Sequence, residues 1–350
     1  MRILALCPMK FDGTSYYRAY GVFPHLKKLF AAEGKIFEVH PYNEFGTYSW
    51  ADILPYDIIF LQRPSMDASK RIKFIDTCKK MGKKIWVDFD DNLFWVPMEN
   101  RVFDDMTKEV KEAMYKVLTM ADLITVSTPA LKYVYVKLGI KTLIEVVPNG
   151  WDFDLHGFAE RYNEVKELPP PQIPKIKYVW RGSETHQGDL ASAGEAILKA
   201  ASEHEEKAVW NFMGYNPWMI TENMPVEWWT YNRGEDIFDY FRTLKGMGAQ
   251  VLFFPLRDNP FNHCKSNIAW MEATFAGAVC IAPDWPEWQK PGVYNYKDDY
   301  ELEGLLSRDG ETFLLRAAAD TQWQLSASYI RENLSLDVVN KKRKQLLENI

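Results

Sequence analysis

Short apolar runs alternate with amphipathic stretches along this chain, and the alternation occurs twice, on either side of a proline cluster. The runs Arg2–Cys7, Lys35–His40, Asp57–Leu61, Lys84–Phe89, Leu123–Ser127 and Ile144–Pro148 have the length of strands. Between them, Ser69–Met81 and Asp105–Met120 set apolar residues at helical spacing. Strands joined through helices make βαβ units, and these build a parallel sheet covered on both faces. Residues 167–174 then read ELPPPQIP. Clustered prolines lack the N–H that a helix interior or a central strand needs, so this stretch is a stiff linker. After it come predicted strands at Lys177–Arg181, Ala208–Met213, Val226–Tyr231, Gln250–Pro255 and Ala278–Ala282. Helices are expected near Gly188–Glu203, Asp236–Met247 and Ser266–Ala276, and a mostly helical tail runs from about Tyr300. No internal sequence repeat is apparent. The expected fold class is α/β, with two tandem Rossmann-like domains facing a cleft. Residues 1–168 form the first domain, 169–174 the linker, 175–325 the second domain and 326–350 a helical tail. Ligands of such folds bind between the carboxyl ends of the strands.

Length and composition fit this plan and narrow the function. The 350 residues suit two domains. No window approaches the roughly 18 consecutive apolar residues of a membrane span. The opening MRILALCPMKFDG reads as a first strand, not as a signal peptide. Four cysteines are scattered without a C-x-x-C pair, which argues against a cysteine zinc site and fits a reducing cytoplasm. A net charge of −6 disfavours a broad nucleic-acid-binding surface but leaves room for a local basic groove. The signatures G-x-x-x-x-G-K-[ST], G-x-S-x-G and H-E-x-x-H are missing, and no G-x-G-x-x-G follows the first strand. P-loop, α/β-hydrolase, zincin and Rossmann-type NAD readings therefore lack their motifs.

Residues 250–284, QVLFFPLRDNPFNHCKSNIAWMEATFAGAVCIAPD, are the most informative. A buried strand leads to a polar loop at its carboxyl end. Ser266 or Asn267 then caps a helix that stops at Gly277. The helix start points into the cleft with Lys265 beside it, and unpaired N–H groups with the helix dipole favour an anion such as a diphosphate. Glu272 lies less than two turns in, where a carboxylate can accept from sugar hydroxyls. An ordinary strand–helix junction with a surface glutamate is the alternative.

The stretch FNHCKSNIAWMEATFAGAVCIAP resembles the nucleotide-binding segment of GT-B glycosyltransferases of the family 4 type, in a divergent form found in phages and bacterial fusion proteins. That family spaces two glutamates by seven residues. Glu272 and Gly277 match the second glutamate and the glycine after it, while the first glutamate falls at Cys264. The resemblance implies GT-B architecture, an NDP-sugar donor, a retaining outcome, no required cofactor or metal, and a tail that crosses back to the first domain. Arg181 matches the family's phosphate-binding arginine, and His186 stands where the family has a lysine. Gly182 and Ser183 allow close backbone approach to a phosphate. VPNGWD, residues 147–152, resembles the family's turn closing the first domain and marks a hinge. The loop DGTSYYR resembles the glycine-rich loop over the donor, with Gly13 retained.

On the first domain the acceptor side is expected to use Asp12, Gly13, Tyr16, Tyr17, Arg18, Arg63 and Asp88. Asp90 and Asp91 complete the acidic cluster of DFDDN, one of them as general base or hydroxyl binder. Crowded carboxylates repel, so at least one should meet a cation or a donor. Asp88-Phe89-Asp90 also mimics a metal-binding D-x-D, but tandem α/β halves point to metal-free donor binding. The catalytic set expected from sequence is Arg181, Lys265, Asp90 and Asp91. Gly182, Ser183, His186, Ser266, Asn267 and Glu272 are expected to bind the donor. The acceptor is a hydroxyl compound: a glycan, a small molecule or, given the phage-like form, a hydroxylated base of DNA. Lys79, Lys80, Lys83, Lys84 and Lys341–Lys344 would then meet phosphates, or else form a solvated charged face. A sugar-nucleotide-binding protein without turnover is a further alternative, permitted by Cys264 and His186 at the two departures from the family.

Overall fold

A computed structural model describes residues 1–6, 12–41, 50–65, 67–158, 175–234, 236–307 and 317–350. Cys7 and the proline-rich 169–174 segment lie outside them. Strands β1 (Arg2–Leu6), β2 (Glu38–Pro41), β3 (Ile58–Gln62), β4 (Lys84–Phe89), β5 (Leu123–Val126) and β6 (Leu143–Val146) form one parallel sheet in the order β2-β1-β3-β4-β5-β6. Strands β7 (Ile176–Gly182), β8 (Ala208–Gly214), β9 (Trp229–Asn232), β10 (Val251–Phe253), β11 (Val279–Pro283) and β12 (Val293–Tyr296) form a second, in the order β12-β11-β10-β7-β8-β9. The longer helices are α1 (Phe23–Ala31), α2 (Ala68–Lys80), α3 (Lys108–Met120), α4 (Pro129–Lys137), α5 (Gly194–His204), α6 (Ile237–Gly246), α7 (Ile268–Phe275), α8 (Asp299–Leu306), α9 (Ala317–Asn333) and α10 (Leu336–Glu348). Strands β3, β5 and β11 are buried along their whole length, as parallel strands covered on both faces must be.

The observed elements depart from the expected ones where local chemistry intervenes. The strand expected at Lys35 starts at Glu38, and the one expected at Val226 starts at Trp229, because Val226–Trp228 turns as a 3₁₀ segment after Pro225. The helix expected over 188–203 is broken at Ala193 into Gln187–Ser192 and α5. Helix α7 starts at Ile268 with Asn267 in the cap position. Neither Ser266 nor Asn267 caps it through a side chain.

The order in which strands are added reverses once in each sheet, between β1 and β3 in the first and between β7 and β10 in the second. The crevices at those switch points face each other. Asp12 beyond β1, Asp90 and Asp91 beyond β4, Arg181 on β7 and Phe254 beyond β10 line one cleft of about 600 Å³. That volume falls in the range of ligand pockets.

The two halves interlock. Phe261 and Cys264, from the loop after β10, sit in the core under the first sheet. Thr128 donates to the Cys264 carbonyl at 3.0 Å, and Asn92 to that of Pro260 at 3.3 Å. Trp151 is 1% exposed and packs on Tyr17, Phe241 and Phe275. Its N–H donates to Leu334 O at 2.7 Å, and its carbonyl accepts from Leu336 at 2.9 Å. Past this point α10 lies against α1, where Asn340 donates to Val22 O at 3.2 Å.

Beneath the cleft floor lies a buried ion pair. Arg18 and Asp88 are each 1% exposed. Arg18 Nε donates to Asp88 Oδ1 at 2.9 Å and Nη2 to Oδ2 at 2.7 Å, a bidentate fork, and Thr125 donates to Oδ2 at 2.6 Å. Burial acts to lower the Arg18 pKa, but the Asp88 charge and hydrogen bonds outweigh it and leave it raised. Removing one partner of such a pair strands a buried charge. Asp88→Ala should therefore lower unfolding free energy by about 3–5 kcal/mol in urea titrations, and Thr125→Val by only about 1 kcal/mol. A loss below about 1 kcal/mol for Asp88→Ala would contradict this role.

Candidate active site

On the second sheet the cleft is organised by the Glu272 carboxylate, one turn into α7 and 3% exposed. Tyr17 donates to Oε1 at 2.9 Å and Tyr240 to Oε2 at 2.7 Å, while Arg181 Nε lies 2.5 Å from Oε2. Burial and then the Glu272 charge push both phenols up, so both stay protonated and both donate. Burial works against the Arg181 charge, but Glu272 outweighs it and holds the guanidinium more basic than usual. Two phenols thus donate to a carboxylate with about four acceptor positions, and Arg181 Nε beside it is an ion-pair contact without a hydrogen bond, which leaves acceptor capacity for a hydroxyl from the cleft. The terminal nitrogens of Arg181 have no protein hydrogen-bond partner among the described residues, and its guanidinium stacks 4.9 Å over Phe254.

Lys265 and Ser266 also line the cleft, at the approach to α7. Lys265 Nζ reaches Asp91 Oδ1 at 3.1 Å across the cleft and lies 4.5 Å over the Phe261 ring. Asn267 is buried. Gly182 and Ser183 line the wall, but packing accounts for Gly182: a Cβ there would stand 2.8 Å from the Trp180 ring. His186 stands where the family has a lysine, placed to donate a hydrogen bond or carry charge, and its surroundings disfavour the charge. Burial lowers its pKa, and Nδ1 faces Asp189 Oδ2 at 2.8 Å. Asp189 Oδ1 in turn accepts from Asn262 at 2.6 Å and from the Arg257 N–H at 3.1 Å.

On the first sheet the acidic cluster divides. Asp88 lies under Arg18, away from any acceptor, and Tyr16 is packed among Tyr17, Tyr20 and Phe241 rather than lining the cleft. Arg18 reaches the cleft wall, yet its guanidinium is taken by Asp88, the Val147 carbonyl and Asn149. Asp90 and Asp91 face the cleft. Arg63 stands behind them, 2.9 Å from Asp91 and 3.6 Å from Asp90, held in a left-handed backbone with φ 46°. A non-glycine residue in that region is strained, a condition common at ligand sites. Burial would raise the Asp91 carboxyl, but Lys265 and Arg63 outweigh it and hold it at about 2. Burial raises Asp90, against the pull of Arg63 and with the push of Asp91. Two adjacent carboxyls pushed apart in this way suit different proton roles. Asp12 caps the turn after β1 by accepting from Ser15 N at 2.8 Å, which sets Gly13 and Tyr17 along the rim.

Sequence reasoning missed Tyr240, Asp189 and Asn262. Tyr240 belongs to an amphipathic helix, where a tyrosine reads as core, and its contact with Glu272 spans 32 residues. The cluster of His25, Asp152 and Asp154 has spacing suited to a metal, but Lys28 pairs with Asp154, and the hydrogen bond to Asp152 raises the His25 pKa. Lys28 and the more basic His25 offset the two carboxylates.

No protein-family model matches the chain, and no curated protein matches its sequence. Solved structures do match in shape. Anabaena HepE in complex with UDP-glucose is 12% identical, with both chains covered in full and a TM-score of 0.65. OtsA, a trehalose-6-phosphate synthase, is 11% identical over 100% of this chain and 99% of that one, with a TM-score of 0.63. A Listeria monocytogenes protein described as a UDP-N-acetylglucosamine 2-epimerase is 11% identical over 100% of this chain and 97% of its own, with a TM-score of 0.56. At such identity the likeness establishes the fold, two Rossmann-like halves in the GT-B arrangement. Among the described residues no helix is long and apolar enough to cross a membrane.

The charge pairing across the cleft is measurable by titration. Lys265 and Arg63 hold the Asp91 carboxyl at about 2 in the folded protein, below its unfolded value. Its contribution to stability is therefore present above that unfolded value and lost as pH falls through about 2. Lys265→Met should raise the Asp91 pKa in carboxyl-carbon NMR titrations and flatten this acid limb. An unchanged Asp91 titration would contradict the Lys265–Asp91 contact.

Proposed function

We propose that this protein is a nucleotide-sugar-dependent glycosyltransferase. It binds the NDP-sugar on the second sheet and the acceptor hydroxyl on the first, with residues 1–168 as the acceptor domain and 175–325 as the donor domain. The observation that carries this reading is the set of Arg181, Lys265 and Glu272 at the carboxyl ends of β7 and β10, facing Asp90 and Asp91 within one cleft. A leaving diphosphate needs preorganised positive charge where its own charge develops. Arg181 and Lys265 supply it without metal, and the start of α7 adds its dipole. Glu272 accepts a ribose hydroxyl at its open position. Asp90, the less acidic of the pair, binds the acceptor hydroxyl, and Asp91 holds Lys265 in place.

The family 4 likeness of the FNHCKSNIAWMEATFAGAVCIAP segment supports a retaining, front-face course, in which the departing phosphate helps take the acceptor's proton. The neighbours bound to UDP or UDP-glucose make UDP the first nucleotide to try. For the acceptor, a glycan or small hydroxyl compound fits better than a modified DNA base, since several of the candidate phosphate-binding lysines are engaged. Lys79 contacts Asp122, Lys80 pairs with Asp76, and Lys344 with Glu33 and Glu348. The buried free cysteines suit action in the cytoplasm.

One observation favours a second reading, a sugar-nucleotide-binding protein without turnover. Cys264, where the family has its sugar-contacting glutamate, is 2% exposed and packed in the first domain's core. Two experiments separate the readings. Arg181→Ala or Lys265→Ala should weaken UDP or GDP binding by about 1.5–3 kcal/mol in calorimetry, the size of a charge-assisted hydrogen bond. A panel of NDP-sugars with acceptor should release nucleotide, with activity surviving EDTA. Unchanged affinity in both variants would contradict the donor site. Binding without any release would select the second reading, and manganese-restored activity after chelation would make Asp90 and Asp91 a metal site.

A further inference from the structure

Four segments that stand out in the sequence, DGTSYYR, DFDDN, VPNGWD and CKSN, are joined by one run of hydrogen bonds whose direction chemistry fixes. Arg18 can only donate. With Nε and Nη2 on Asp88, it gives Nη1 to Asn149 Oδ1 at 3.0 Å. The Asn149 amide therefore has one orientation, oxygen toward Arg18 and nitrogen away. That nitrogen donates to Ser266 Oγ at 2.9 Å. Ser266 accepts this bond, so its own proton is directed elsewhere, and no group among the described residues accepts it. Asn149 and Ser266 both line the cleft, with Ser266 next to Lys265. Left alone, a serine near a helix start turns its hydroxyl to backbone groups nearby.

We propose that the Ser266 hydroxyl donates to a phosphate of the bound nucleoside diphosphate, and that Asn149 is the positioning residue keeping that proton available. Arg18 and Asp88 act behind Asn149 by fixing its amide. This assignment rests on the donor site proposed above and adds a phosphate contact and its orienting residue. It also gives Asn149 a role beyond the turn, which needs only its backbone.

The test is calorimetric binding of UDP and GDP, with uridine and guanosine as phosphate-free controls. Ser266→Ala should weaken diphosphate binding about tenfold, the size of one hydrogen bond to a charged group, and leave nucleoside binding unchanged. Ser266→Thr should retain affinity. Asn149→Ala should weaken diphosphate binding in the Ser266 background and add nothing in the Ser266→Ala background. Asn149→Asp is tolerated beside Arg18 but takes the Ser266 proton, so it should lose at least as much as Ser266→Ala. If wild type binds a diphosphate and Ser266→Ala binds it equally well, the assignment is overturned. Equal weakening by Asn149→Ala in both backgrounds would make Asn149 merely structural and overturn its positioning role. If Asn149→Ala does not fold, the contrast between Ser266→Ala and Ser266→Thr decides: loss in both variants overturns the hydroxyl contact. Wild type binding neither UDP nor GDP overturns the donor site itself, and this assignment with it.

Discussion

A guanidinium buried at 1% exposure is tolerable only if its N–H groups find acceptors, and Arg18 finds them in separate parts of the chain. Asp88 at the end of β4 takes two, and the Val147 carbonyl and Asn149 side chain take the rest that are bonded. The helical turns at Gly13–Tyr20, the end of β4 and the Val147–Asn149 segment are thereby held in one geometry. Asn149 carries that geometry across to Ser266 on the second half. The floor of the cleft is thus rigid because a buried charge permits few alternatives.

Above this floor the cleft's charges are arranged as pairs that span it. Tyr17 reaches Glu272, and Lys265 reaches Asp91. Arg101 approaches Glu184 at 3.4 Å, and Asn100 donates to Thr185 O at 3.3 Å. Together with Phe261 and Cys264 in the first core, these contacts hold the two halves close across the cleft. They also mean that several cleft groups already have partners, so any ligand there would exchange bonds rather than simply add them.

Most of the fold is legible in the sequence because parallel strands buried on both faces leave continuous apolar runs, as in IIFLQ and VCIAP. Legibility fails where that signature weakens. Strand β12, VYNY, is only partly buried, and helix α4, PALKYVYVK, is rich in residues typical of strands, so the Thr128 cap and Pro129 are its better signals. The site follows the same division. Arg181, Lys265, Glu272, Asp90 and Asp91 are visible because each stands at a strand end or beside a helix start. Their partnerships are not, since the Tyr17–Glu272 contact joins residues 255 positions apart. Burial, which depends on the whole fold, separates Asp88 from Asp90 and lowers the His186 pKa.

The position of a nucleoside diphosphate in the cleft distinguishes a donor half from an acceptor half. A crystal structure of the protein with UDP tests this most directly. The diphosphate should lie within hydrogen-bond distance of Arg181 and Ser266, with a ribose hydroxyl on Glu272. A nucleotide contacting only residues before Pro148 would contradict the assignment of donor and acceptor halves.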